Sequence, residues 1–288
     1  MVLNSIKTGK FLYDGGSLFG VAPKLAWSEF YPADTDNRCT LVMRSLLVQT
    51  DNKKILFDTG VGLKHADVME EFGFYDMRNI VEEVEKCGCK CEEITDIVLT
   101  SLHFEHCGGT TYLDFDQNIA LTFPNATVHV GERQWVSMLN ANEREKYMII
   151  PSDVMEAFKK EKLHVLKEDE ALSPEVELKL VDGHTQAQIV AYIHDGDQTF
   201  VFAGDTIPTG ANVHLDWLDA HDIEPLKALE TKKAILDDAI ANDYWMIFPH
   251  DARFACAKIQ KEEDYHICNV GGISDCNDTV SVSINLED

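Results

Sequence analysis

Apolar positions along this chain fall into short runs set between amphipathic stretches. Residues 41–48, Leu-Val-Met-Arg-Ser-Leu-Leu-Val, and 54–57, Lys-Ile-Leu-Phe, read as neighbouring strands joined by the polar turn Thr50-Asp51-Asn52-Lys53. Residues 76–86 read as a helix: Met77, Ile80, Val81 and Val84 form one apolar face, acids cover the other, and Gly88 ends it. A buried strand is expected over 94–100, another over 127–130, and a helix over 132–139. Pro151 opens a further helix, at a first-turn position where proline sacrifices no donor. Strands are predicted over 176–181, 189–194 and 199–203, a long helix over 225–242, and a short strand over 244–248. Such alternation predicts an α/β fold. No long linker, repeat or low-complexity block interrupts the pattern, so one domain over 1–288 is expected.

Composition narrows the partners. The chain carries 50 acidic and 25 basic side chains, a formal net charge of −25. That surface repels phosphate backbones and anionic lipid, which argues against nucleic acid and membrane surfaces and leaves a small molecule as the expected ligand. The first ten residues lack the continuous apolar core of a signal peptide, and no apolar run approaches the roughly 20 residues of a membrane-spanning helix. A cytoplasmic protein is the expectation, and free thiols are then the default for its eight cysteines, Cys276 included. Cys87, Cys89 and Cys91 alternate in a run that could bind a soft metal, although structural zinc sites favour Cys-x-x-Cys.

The chemistry gathers at the ends of predicted strands. Ser101-Leu-His103-Phe-Glu105-His106 follows the strand over 94–100, and Cys107-Gly108-Gly109 comes next. Phe57-Asp58-Thr59-Gly60, Gly183-His184-Thr185, Gly204-Asp205-Thr206 and Pro249-His250-Asp251 stand in the same relation to other strands. Each tripeptide alone is a weak signal; five segments in fixed order, each after a strand, are a strong one. Imidazoles and carboxylates suit a borderline divalent ion, zinc first, with iron and manganese as alternatives. His129, His164, His194, His65, His221 and His266 occur outside this set and receive no site role.

In these segments the chain resembles the metallo-β-lactamase superfamily, whose signature is His-x-His-x-Asp-His. Ser101 stands where the first His belongs and Glu105 where the Asp belongs. The resemblance implies a four-layer αβ/βα sandwich. It also implies a first ion held by His103 and His184, a second by Glu105, His106 and His250, and Asp205 bridging the two. Asp58 would orient a ligand imidazole, and Ser101 would at best hold a water. By that ligand count one or two ions bind, the second site being the stronger. Glu105 and Asp205 would be the catalytic carboxylates. The segment 14–27, Asn37-Arg38, Ile207-Pro208-Thr209, Asp222-Ile-Glu-Pro225 and Leu229-Glu-Thr-Lys232 resemble a branch containing quorum-quenching lactonases and relatives of methyl parathion hydrolases. Phe19, Asn212 and His214 would then wall the substrate cleft, and a homodimer would be compatible with the branch. What the resemblance implies is hydrolysis of a small lactone or ester by a metal-bound hydroxide. The alternatives are an organophosphate or phosphoester substrate, or a catalytically degenerate binding protein of the same fold.

Overall fold

In the computed structural model, which describes residues 1–275, two sheets pack face to face with helices on both outer surfaces. The first, eight-stranded sheet orders its main strands as Ser274–Asp275, Val2–Asp14, Arg38–Gln49, Lys54–Phe57, Asp96–Val98, Thr127–Gly131 and Leu163–Leu166. The second, seven-stranded sheet runs in chain order from Glu170–Ser173 to Tyr265–Gly271. It is antiparallel except where Gln198–Phe202 pairs in parallel with Trp245–Ile247, and the helix Pro225–Ala241 makes that crossover.

Three apolar clusters account for the four layers. Between the sheets, Leu46, Phe57 and Val98 of the first meet Leu178, Ile189, Phe202 and Ile247 of the second. Outside the first sheet, Leu47, Leu56 and Ile97 are covered by Ile80 and Val84, by Trp135 and Met138, and by Val154 and Ala157, which belong to three helices. Outside the second, Val190, Val201 and Met246 pack on Ile235, Leu236 and Ala239 of the helix Pro225–Ala241. Strands buried on both faces carry mostly apolar residues in succession rather than in alternation, as over 55–57 and over 41–48, where only the buried Arg44 and Ser45 interrupt the run. The expected αβ/βα sandwich is the fold.

Several boundaries move, among them the start of the strand over 41–48, which begins at Arg38; two shifts have a local cause. The helix predicted over 76–86 starts at Ile80, because Asp76 is in the left-handed region (φ +51°) and Asn79 caps the helix by accepting from the Val81 N–H. The strand over 94–100 pairs only at Asp96–Val98, which frees Leu99 to His103 to form the site loop. The strand Val2–Asp14 breaks the alternation that would mark it. Asn4, Ser5 and Thr8 are buried in it, and its register with Arg38–Gln49 shifts between Lys7 and Gly9.

The cysteine run belongs to this scaffold. Cys89 and Cys91 lie in the outer core of the first sheet, and burial pushes the Cys91 thiol up to about 11. Cys39, Cys107 and Cys256 are buried free thiols and Cys268 an exposed one, while Cys276 lies outside the described residues. Among the described residues no helix is long and apolar enough to cross a membrane.

Candidate metal centre

Five strand ends converge at one edge of the sandwich. Lys54–Phe57 delivers Asp58, and Asp96–Val98 delivers the loop of Ser101 and His103 and the short helix Phe104–Cys107 that carries Glu105 and His106. Val176–Val181, Gln198–Phe202 and Trp245–Ile247 are followed by His184, Asp205 and His250. Two glycine positions permit the approach. A Cβ on Gly109 would sit 2.3 Å from the Thr59 carbonyl oxygen, so the loop after Asp58 and the turn after His106 interlock only without a side chain there. Gly183 has φ +138°, and a Cβ on it would lie 2.3 Å from Ala228 Cα, so His184 reaches its place only past a glycine.

Four imidazoles then face Asp205, and each has its second nitrogen taken by an acceptor. His106 Nδ1 lies 2.8 Å from Asp58 Oδ2, and Asp58 is itself fixed by the Thr100 N–H and hydroxyl, each at 2.8 Å. His250 Nδ1 donates to the Val42 carbonyl at 2.7 Å. His184 Nδ1 is 2.9 Å from Asp222 Oδ1, and His103 Nε2 is 3.4 Å from Glu145 Oε1. Glu145 is held in turn by Ser137 and Asn142. With those nitrogens as donors, the opposite ones present lone pairs inward. His106 Nε2 and His184 Nε2 lie 2.9 and 3.4 Å from Asp205 Oδ2, and His250 Nε2 is 2.9 Å from Asp205 Oδ1.

Lone pairs on nitrogen and carboxylate oxygen repel at this distance unless a proton or a cation stands between them. Asp205 Oδ1, though close to His250, accepts no hydrogen bond, and neither does the buried Glu105 Oε2. Protons answer part of the demand. Burial alone would push His106 down, but the Asp205 and Asp58 carboxylates outweigh it and hold the imidazole well above its ordinary value. Burial likewise opposes His184, yet Asp222 and Asp205 raise it to about 9. Burial also disfavours the Asp205 carboxylate, and the facing His106 and His250 nevertheless keep it well below the usual range.

Two groups can hold a cation: His103, His184 and Asp205, and His106, Asp205 and His250, each with ligand atoms within 4.8 Å of one another. Asp205 is common to both, so the donor set fits one ion or an adjacent pair. The expected fourth ligand of the second group is not among them. Glu105 lines the cavity, but its longer side chain leaves the carboxylate outside both groups, so each has three ligand atoms and the count no longer favours the second. Ser101 Oγ accepts the His103 N–H at 3.3 Å and shapes the loop.

The cavity over the cluster is lined by Phe11, Leu18, Leu41, Met148 and Pro208, with Tyr13 and Asp219 as further polar groups, and measures about 30 Å³. A groove of about 680 Å³ elsewhere, bounded by Leu63, Val81, Tyr112 and Leu121, touches no ligand residue, so size does not mark the site. The three expected cleft residues are absent from the lining. Phe19 stacks on Trp27 at 4.9 Å in a buried cluster, because adjacent residues of the helix Gly15–Phe19 point different ways and Leu18 takes the cavity side. Asn212 spends its amide on the Leu18 and Trp217 carbonyls and accepts from the Thr209 hydroxyl. His214 binds Asp264 at 2.9 Å and packs on Trp217. Conversely, Glu145, Tyr13 and Asp219 have no local sequence signal beyond the presence of a polar group on a loop or strand end, and Asp222 falls in a segment that resembles the branch but receives no role in the site from sequence alone.

Comparison with known proteins agrees with this geometry. No curated protein matches the chain. Solved structures do. A probable metal-dependent hydrolase from Staphylococcus aureus is 24% identical, with a TM-score of 0.83 over 92% of this chain and 96% of that one. The dizinc quorum-quenching lactonase AidC is 20% identical, with a TM-score of 0.78 over 94% and 95%. The hydrolase AbOPH, of the beta lactamase superfamily, is 19% identical, with a TM-score of 0.77 over 94% of each chain. At these identities the likeness is one of fold. The family model for the metallo-beta-lactamase superfamily matches residues 44–250, from the second strand of the first sheet through the last histidine of the cluster, and the chain therefore belongs to that superfamily.

Proposed function

We propose that the protein is a metal-dependent hydrolase of a small lactone or ester, with zinc as the ion. The observation that carries this reading is the set of four imidazoles, each pinned by its own acceptor on one nitrogen and gathered by the other, with Asp205, into two groups that could hold a cation. When bound there, the metal lowers the pKa of water toward ~7 and polarises the scissile carbonyl. The chain's own groups do the rest. Asp58, Asp222, Glu145 and the Val42 carbonyl keep the imidazoles in one tautomer and one orientation. Glu105 presents a buried oxygen without a hydrogen-bond partner to the cavity, where it can accept the proton of an attacking water. Phe11, Leu18, Leu41 and Met148 exclude bulk solvent and offer an apolar wall. Small-molecule sites run to about 300–1,000 Å³, so a cavity of about 30 Å³ must widen to admit substrate. A net charge of −25 favours neutral substrates over polyanions.

The test is a panel of lactones, aryl esters and phosphotriesters assayed with zinc, manganese or iron. Turnover of a lactone or ester that His106→Ala abolishes supports the proposal. A fully folded, metal-loaded protein that turns over nothing refutes it and leaves the degenerate binding protein. Activity confined to phosphotriesters moves the substrate class and keeps the mechanism.

A further inference from the structure

Of the polar groups lining the cavity, only Tyr13, Glu105 and Asp219 lie outside the two ligand groups. A carboxylate must first take up a proton before it can give one, whereas the phenol carries a proton of its own. The Tyr13 hydroxyl lies 3.2 Å from both oxygens of Asp219 and 2.5 Å from His221 Nδ1. His221 is fixed against the same carboxylate: its N–H donates to Asp219 Oδ1 at 2.7 Å, and its Nδ1 lies 3.1 Å from that oxygen. Asp219 is nearly closed off, while the His221 side chain is 38% exposed and exchanges protons directly with solvent. The three therefore lead from water, through an imidazole, to a phenol facing the reaction cavity.

We infer that Tyr13, Asp219 and His221 form a proton relay in which Tyr13 is the catalytic acid for the leaving oxygen, with Asp219 and His221 as positioning residues. The inference rests on the hydrolase reading above. The attacking water oxygen forms a bond to the acyl carbon, and its proton passes to a cavity carboxylate, which releases it to solvent when the product acid leaves as its carboxylate. The bond from that carbon to the leaving oxygen breaks, and the leaving oxygen takes the Tyr13 proton. His221 Nδ1–H reprotonates the phenolate, and His221 recovers its proton from solvent. No oxidant or further reactant is required.

The electrostatics agree. Burial, with Asp219, Glu105 and Asp205 adding to it, holds the Tyr13 phenol well above its ordinary value, so it stays protonated until a base as strong as an alkoxide forms beside it. The bond to Asp219 raises His221 against the opposing effects of burial and His184, with Glu105 contributing in the same direction as Asp219. The cluster also ties the strand Val2–Asp14 to the loop around 219–221, as do the Ala220 N–H to the Ser17 carbonyl and Arg144 to the Ala220 carbonyl, so the test must separate a catalytic role from a structural one.

Leaving-group dependence separates the two roles. With the zinc-loaded protein, an alkyl ester and a nitrophenyl ester of the same acid differ in one respect, since nitrophenolate departs without a proton. Tyr13→Phe is expected to lower kcat for the alkyl ester about 100-fold and for the nitrophenyl ester less than about threefold, at unchanged zinc content. His221→Gln should cost the alkyl ester about tenfold, and added imidazole should restore it. Equal losses on both esters, or no loss on the alkyl ester, overturn the relay while the hydrolase reading stands. Wild-type protein inactive on both esters and on every lactone of the panel at full zinc content overturns the hydrolase reading and the relay with it. A readout independent of turnover is the NMR titration of His221 in metal-free protein. Asp219→Asn should shift its midpoint downward, Tyr13→Phe should displace its Nδ1 resonance, and an unmoved signal in both variants refutes the coupling.

Discussion

Asp58→Asn tests how the cluster is held, because it changes one hydrogen-bond donor pattern and almost nothing else. Asp58 sits at φ +56°, a left-handed conformation that asparagine tolerates better than most residues, so the backbone should keep its path. Its carboxylate accepts three hydrogen bonds at 2.8 Å, from the Thr100 N–H, the Thr100 hydroxyl and His106 Nδ1. An amide has one carbonyl oxygen, which stays with the Thr100 N–H. Its NH2 then faces His106 Nδ1, which can no longer donate. The imidazole must move its proton to Nε2, the nitrogen 2.9 Å from Asp205 that a cation needs. Loss of such an orienting partner costs about 10- to 100-fold in metal affinity, or about 1.4–2.7 kcal/mol. Zinc titration against a competing chelator at fixed pH measures this, with thermal melting of the metal-free protein as the check on folding. Affinity within about threefold of wild type would refute the reasoning, since the tautomer of His106 would then not depend on Asp58.

Three further outcomes are expected. Ser101→His should raise the zinc retained after dialysis and the turnover rate, and if neither changes, position 101 does not face the ions. Zinc affinity should climb with pH between 7 and 9, about tenfold per unit for each proton expelled, because metal-free His184 is held at about 9 and is charged at neutral pH; a flat profile refutes this. Asp96, buried against burial's own penalty by His129, Lys53 and Thr95, is lowered to about 2, so it adds stability above its ordinary value near 3.8 that is lost as pH falls from 4 to 2, about 2 kcal/mol in all. Asp96→Asn should flatten the urea midpoint across that window, and a wild-type slope in the variant would count against the assignment.

The four histidines gathered around Asp205 could be picked out as candidate ligands because each follows an apolar run, and loops at strand ends are where this class of fold exposes side chains. The strands over 41–48 and 54–57 were legible from their high hydrophobic content, and that over 176–181 from the alternation of Val176, Leu178 and Leu180 with polar residues. The strand Val2–Asp14 was not, since its buried polar residues and its bulge before Gly9 erase the periodicity. Phe19 shows a finer limit. A one-residue shift on a short helix decides between Leu18 and Phe19 as the cavity wall, and local pattern does not fix that rotation.

Order and residue type along the chain thus determined which groups could ligate a cation and in what kind of fold. Tertiary structure alone decided their partners. His103 meets Glu145 across 42 positions, His184 meets Asp222 across 38, and His250 and Tyr13 each find a partner 208 positions away. With 50 acidic side chains and a carbonyl on every residue, acceptors are abundant and chemically alike. Which one reaches a given imidazole depends on how the two sheets pack, a property of the whole chain that no local window contains.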